Sequence, residues 1–331
     1  MKLVTICIPI YNNERTISET LESLLNQSYQ NIKIKIFDNA STDKTNKIIS
    51  DYATRHSNIE IIRNEKNIGG EANFTKCIQG GEGDYTAVFH ADDVYMSTMV
   101  EEQVLFLETH KDCSCVATHA YYIDEKSNIT GERVLPEEFS SNKFNKVDFE
   151  ELFYLTLKYA NIITCPSVMA RTNLYTNEIK IWNGAKFQTA ADLDVWLRLS
   201  RLGKLGFINT PLMKYRYSSD SYSYRIEAMC LRIERQDLFL VLDYYINNNI
   251  LKLSSEEKYL YNMLSFLDVL HVNVNKYLNN RTDYEKNINL KFSFSKRIFY
   301  YKLVNLIFNV VKYIPLSNGI KKILIELKGK S

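Results

Sequence analysis

Residues 3–10 form a largely apolar, β-rich run that reads as a strand. Asn13 follows as a helix-capping residue type, and Ile17, Leu21, Leu24 and Leu25 recur at helical spacing. Ile32, Ile34 and Ile36 alternate toward Phe37 and Asp38, which predicts a second strand. Ser41 or Thr42 can then cap a helix with Ile48, Ile49 and Tyr52 on one face. Residues 59–63 predict a third strand, 71–79 a short helix after Gly69 and Gly70, and 85–90 a fourth strand. Residues 113–122 also read as a strand, and 152–171 are mixed. Within 182–203, Asp192 and Asp194 open a helix that Gly203 ends. Beyond Arg225 the periodicity is helical, with long helices expected over 226–247 and 256–278 and a turn at Asn247, Asn248 and Asn249.

Repeated strand and helix units imply an α/β fold, a mostly parallel Rossmann-like sheet with helices on both faces, followed by a helical C-terminal region. In such sheets ligands bind beyond the carboxyl ends of the strands. The polar clusters fall there: Tyr11, Asn12 and Glu14 after the first strand, Asp38, Asn39, Ser41 and Asp43 after the second, Asn67, Gly69 and Gly70 after the third, and His90, Asp92 and Asp93 after the fourth.

Composition narrows the reading. The 331 residues are 45% hydrophobic and carry a formal charge of +2, which suits a globular chain and argues against a surface built for nucleic acid. The charge is uneven: residues 281–331 hold eleven Lys or Arg against three acids, a surplus of eight, so the first 280 carry −6. The six cysteines are scattered through apolar runs, as expected of reduced thiols in a cytoplasmic protein. No stretch reaches the roughly 18 apolar residues of a membrane span, and the first apolar run lacks a signal-peptide cleavage site. The tail over 292–330 mixes aromatic and aliphatic residues with lysines. Such a basic amphipathic helix can lie on an anionic membrane surface, or pack on the catalytic domain or a second copy of the chain in a homo-oligomer.

The first strand does not end in Gly-x-Gly-x-x-Gly, and there is no Gly-x-x-x-x-Gly-Lys-Ser/Thr loop, so dinucleotide and P-loop chemistries lose their main support. What remains is an acidic, aromatic rim. Tyr11 can stack on a base, Asp38 can accept from a base N–H, and Asp92 with Asp93 can hold a hard divalent cation that neutralises a diphosphate. Asp92-Asp93 can equally be a solvated turn, Asp192 a helix cap, and Asn67 to Gly70 a turn opening a helix. His110, Cys113, Cys115 and His119 lack the paired spacing of a zinc site and fit a strand better. Lys214, Arg216 and the serines from 218 to 223 read as a polar loop, either a cover for a diphosphate or an exposed connector.

Ile8-Pro9-Ile10-Tyr11-Asn12-Asn13-Glu14, Phe37-Asp38-Asn39-Ala40-Ser41-Thr42-Asp43, Asn67-Ile68-Gly69 and His90-Ala91-Asp92-Asp93 together resemble the successive signatures of glycosyltransferase family 2, whose catalytic domain has the GT-A fold. Ala191-Asp192-Leu193-Asp194-Val195-Trp196-Leu197-Arg198 is similar to the family's catalytic-base segment. The resemblance covers about residues 1–220 and implies a catalytic domain over 1–222, with a helical region over 223–331. It implies a nucleotide site of Pro9, Tyr11, Glu14, Asp38, Asn67 and Asp92, and Mn2+ or Mg2+ held by Asp93 with Asp92. Asp192 becomes the general base of an inverting transfer. The implied donor is a nucleotide sugar, most naturally UDP-linked, and the implied acceptor a glycan or lipid-linked molecule of surface polysaccharide assembly at the cytoplasmic face of the membrane. Asn39, His90, Ala191 and Tyr217 depart from the family pattern, and a degenerate module that binds a nucleotide sugar without catalysis is the competing expectation.

Overall fold

A computed structural model describes residues 1–133, 135–140, 142–217 and 232–278. The chain divides into two compact units, Met1–Ser218 and Ser219–Ser331. Among the described residues, no helix is long and apolar enough to cross a membrane.

The first unit is organised by β1 (Val4–Ile10), whose seven residues are buried or nearly so because sheet neighbours and helices cover both faces. It pairs in parallel with β2 (Ile32–Asp38), Val4 opposite Ile32 and Ile10 opposite Asp38, and with β4 (Tyr85–Val88), Cys7 opposite Val88. β3 (Ile59–Arg63) extends the parallel set beyond β2. α1 (Ile17–Leu25), α2 (Thr45–Arg55) and α3 (Gly70–Gln79) are the connecting helices, and α1 buries Ile17, Leu21 and Leu24 in the core.

β5 (Val94–Tyr95), α4 (Met99–Thr109), β6 (Cys113–Ile123), β7 (Ile129–Glu132), α5 (Glu137–Ser140), β8 (Phe144–Val147), α6 (Phe149–Tyr159), β9 (Met169–Arg171), α7 (Gly184–Phe187), α8 (Ala191–Ser200) and β10 (Lys204–Arg216) complete the unit. The sheet order is β3-β2-β1-β4-β9-β6-β10-β5, with β7 on β6 and β8 on β10. β9 runs antiparallel to both β4 and β6, so it is the seam between two parallel sets, one led by β1 and the other made of β6 and β10.

Several boundaries differ from the periodicity. The fourth strand stops at Val88, although the Phe89 amide still donates to the Cys7 carbonyl at 3.0 Å. The Tyr95 hydroxyl accepts from the His90 amide (2.7 Å) and donates to the His90 carbonyl (3.1 Å), occupying the main-chain groups that further pairing would use. α1 starts at Ile17 rather than after Asn13: the Asn13 carbonyl accepts from the Thr16 and Ile17 amides, while its side chain turns back to the Tyr11 amide. At α2, Asp43 rather than Ser41 or Thr42 accepts from the first helical amide, that of Thr45, at 2.9 Å.

In the second unit, α9 (Leu238–Asn247) is shorter than the helix expected from 226, and residues 232–237 are not helical. Their course brings Arg232 and Arg235 to Asp268 of α10 (Ser255–Leu278), at 2.6 and 3.5 Å. That carboxylate is buried and requires a cationic partner. The basic tail over 281–331 and the serines from 218 to 223 lie outside the described residues.

Gly206 of β10 lies under Phe106 of α4, and a Cβ added there would sit 2.1 Å from the ring. The ring cannot retreat freely, because it stacks on His110 at 4.2 Å. Gly206→Ala is therefore expected to lower stability by about 1–3 kcal/mol in urea unfolding, the usual cost of overpacking a core.

Candidate active site

Two loops close the ends of β1 and β2 and are tied to each other. Asn12 adopts a left-handed conformation (φ 56°), one that asparagine tolerates better than most residues. Its amide donates to the Ser41 hydroxyl (3.0 Å), and its side-chain oxygen accepts from the Thr42 amide (2.8 Å). One oxygen of the Glu14 carboxylate accepts from the Lys44 amide at 2.9 Å, tying this exposed residue to the approach to α2. Pro9 is half-buried opposite Phe37, and Tyr11 is 44% exposed, its ring open to a ligand.

Asp38 is fully buried, which changes the role expected of it. One carboxylate oxygen accepts from the Ser41 amide (2.9 Å) and hydroxyl (2.6 Å), and the other pairs with Arg63. Arg63 also donates to the Ser41 carbonyl at 2.9 Å and keeps 41% of its side chain exposed. Asp38 thus sets the Ser41 loop and Arg63 instead of presenting its own oxygens to a base. Arg63, at the end of β3, was not singled out by sequence reasoning, because a lone arginine closing a strand carries no motif.

Behind this rim runs a chain of buried amides. The Asn39 amide group donates to the Asn67 side chain (2.9 Å), while its oxygen accepts from Asn64 (3.0 Å) and from the Ile68 amide (2.9 Å). Asn64 also donates to Asn73 (3.1 Å) and accepts from Lys76 (2.6 Å), and Asn73 donates to the Phe37 carbonyl (2.7 Å). Asn67 accepts from the Gly69 amide at 2.8 Å, where φ is 87° and the chain turns into α3. Asn39 therefore does what an aspartate cannot: it donates to Asn67 and joins the ends of β2 and α3.

The third cluster lies after β4. His90, Asp92 and Asp93 each offer a ligand atom, all within 4.8 Å of one another, and among the described residues this is the one such grouping. Asp93 is wholly buried; one oxygen accepts from the Arg216 amide at 2.8 Å and the other has no partner. The Arg216 guanidinium is buried and donates to the carbonyls of Asp92 (2.7 Å) and Asp124 (2.9 Å), to Glu19 (2.5 Å) and to Ser127 (3.0 Å). Lys214 and Arg216 are thus strand residues, and Arg216 is a buried clamp rather than part of a polar loop. Burial, with Asp92 alongside, holds the Asp93 carboxyl well above the usual carboxylate range, and burial holds the His90 imidazole below its usual value. A divalent cation suits such a group, because its charge offsets the desolvation that disfavours the carboxylate.

The sulfur and imidazole groups at 110–119 form no comparable centre. Burial pushes the Cys113 thiol up to about 11 and the Cys115 thiol to about 12, and His119 pairs with Glu132 at 2.9 Å.

Asp192 lies inside the first turn of α8 rather than at its cap, which is Ala190. Its oxygens accept from the Leu193 amide (2.7 Å) and from the Asn161 side chain (2.9 Å). Desolvation raises its pKa to about 6, outweighing these hydrogen bonds and the nearby Arg133 charge. Arg133 donates to the Asn161 carbonyl (2.5 Å) and the Thr164 hydroxyl (3.2 Å), fixing the loop after α6 that carries Asn161. The thiol of Cys165 is raised by burial and then by the charges of both Asp192 and Asp93, so both carboxylates lie within electrostatic reach of this one residue. Asp194 is turned away: it is buried and accepts from Arg198 and Asn183, each at 2.9 Å. Arg198 donates to the carbonyls of Ile179 (2.8 Å) and Ile181 (2.7 Å), holding Trp182 against Phe74 at 4.6 Å, and Phe74 meets His90 edge-on at 5.6 Å.

A parallel sheet with polar strand ends, an acidic pair and a separate raised carboxylate defines a group-transfer enzyme of the GT-A class. The family model of glycosyl transferase family 2 matches residues 5–174. The chain belongs to that family and is a glycosyltransferase. It is 30% identical over 233 residues to an uncharacterized glycosyltransferase of Methanocaldococcus jannaschii, covering 69% of this chain and 76% of the relative. It is 33% identical over 174 residues to the UDP-Glc:alpha-D-GlcNAc-diphosphoundecaprenol beta-1,3-glucosyltransferase WfaP of Escherichia coli, covering 53% of this chain and 63% of WfaP. The mannosyltransferase PcManGT of Pyrobaculum calidifontis, solved with GDP-Man and Mn2+, has a TM-score of 0.54 at 14% identity, covering 99% of this chain and 87% of that one, and is similar in fold.

The amide chain makes a stability prediction. Asn64→Leu leaves the buried Asn73 oxygen without its donor and Lys76 without its acceptor. Urea unfolding is expected to show a loss of about 2–4 kcal/mol, at about 1–3 kcal/mol per abandoned polar group.

Proposed function

We propose that this glycosyltransferase moves one sugar from a nucleotide-sugar donor, UDP-linked, to a hydroxyl of a glycan or lipid-linked acceptor in surface polysaccharide assembly, with inversion at the sugar carbon. The observation that carries the reading is that two acidic centres approach one residue, Cys165: the His90, Asp92 and Asp93 cluster, and Asp192 with its pKa raised to about 6. An in-line displacement needs its leaving diphosphate and its proton acceptor on opposite faces of the sugar.

Tyr11, Pro9 and Arg63 frame the nucleobase side, with Asp38 and Glu14 holding the loops that carry them, and Asn67 shapes the turn into α3. Asp93 and Asp92 hold Mn2+ or Mg2+, which when bound offsets charge on the leaving diphosphate. Asp192 accepts the proton of the attacking hydroxyl as the new carbon–oxygen bond forms and the bond to the diphosphate breaks. Asn161 and the Leu193 amide hold the carboxylate in place. The WfaP relative's name supports a UDP donor and a lipid-diphosphate acceptor, and PcManGT supports a metal at the donor.

A base of this kind works only when ionised, so kcat/KM is expected to fall as pH drops through about 6. Asp192→Asn should keep UDP binding while lowering transfer by about 10²- to 10⁴-fold and removing that acidic limb. Near-normal transfer by this variant, followed as nucleotide release, would sink the assignment. Calorimetry of UDP with and without Mn2+ tests the donor side: tighter binding with metal is expected, and Asp93→Ala should abolish the difference.

A further inference from the structure

We propose that His90 supplies a nitrogen ligand to the cation held by Asp92 and Asp93, and that this imidazole biases the site toward Mn2+ and Co2+ over Mg2+. The inference rests on the metal-dependent reading above and concerns which ion the site prefers.

Two buried atoms motivate it. The His90 Nε2 and the second oxygen of Asp93 both lack a hydrogen-bond partner. A cation on the Asp93 oxygen would satisfy that atom, and a ring nitrogen of His90 lies close enough to join it. They do not satisfy each other: the nearest approach, His90 Nδ1 to Asp93, is 3.8 Å, beyond hydrogen-bond reach. The three ligand atoms fall within 4.8 Å of one another, and side-chain rotation can bring them to the roughly 3 Å separation of adjacent ligands around a Mg2+- or Mn2+-sized ion.

The backbone at His90 is also held for the purpose. Its amide and carbonyl are both tied to the Tyr95 hydroxyl, and its ring rests on the edge of Phe74. A neutral imidazole where a carboxylate would otherwise stand removes one negative charge from the site and adds a softer donor. Mg2+ relies on oxygen ligands and charge, whereas later first-row ions gain from nitrogen, so the substitution penalises Mg2+ selectively.

The test is electron spin-echo spectroscopy of the full chain with Mn2+ and UDP. Modulation from a ¹⁴N nucleus is expected, replaced by the ¹⁵N pattern when the protein is labelled at histidine. His90→Asp should lose the modulation while still binding Mn2+. Competition binding should show its Co2+-to-Mg2+ affinity ratio lowered by about tenfold or more. Bound Mn2+ without nitrogen modulation in the unsubstituted protein overturns the proposal, and so does an unchanged ion ratio in a folded His90→Asp. The labelled unsubstituted protein decides the matter if that variant does not fold. Tight UDP binding with no Mn2+ uptake at all overturns the metal-dependent reading together with this inference.

Discussion

The buried junction between Asp93 and Arg216 is the constraint on which the acidic cluster after β4 depends. Asp93 is removed from water, and one of its oxygens is satisfied by the main-chain amide of Arg216 at the last position of β10. The Arg216 side chain then gathers the carbonyls of Asp92 and Asp124 with Glu19 and Ser127. Segments far apart in the chain are held together by one guanidinium that makes four hydrogen bonds, a geometry that its planar fork allows and a lysine would not reproduce. The other Asp93 oxygen is left without a hydrogen-bond partner.

The sheet brings the two acidic centres into one region. β9 reverses direction between two parallel sets, and Cys165, shortly before it, lies within electrostatic reach of both Asp93 and Asp192. Both carboxylates are desolvated, and burial raises the proton affinity of each.

Much of the first half was legible in the sequence because its signals are local. The alternation at Ile32, Ile34 and Ile36, the helical spacing from Ile17, and polar residues closing each strand follow from period and turn chemistry. What was not legible lies outside the local pattern. Asp38 has a residue type and position suited to a ligand, and its oxygens are bonded to Ser41 and Arg63, as one oxygen of Glu14 is to the Lys44 amide. Asn39 reads as a lost carboxylate until Asn64, Asn67 and Ile68 are seen around it. Asn161 sits in a mixed stretch without periodicity, and only the packing of α6 against α8 brings it to Asp192.

The sequence by itself determined the family and much of the order of strands and helices, and it singled out Asp92, Asp93, Asp192 and Tyr11 as residue types suited to a site. Tertiary structure alone decided which of the polar residues remain available. Burial raises a carboxylate where desolvation outweighs the donors the fold supplies, as at Asp93 and Asp192. Desolvation and hydrogen bonding depend on what surrounds a group in three dimensions, and no spacing along the chain encodes that.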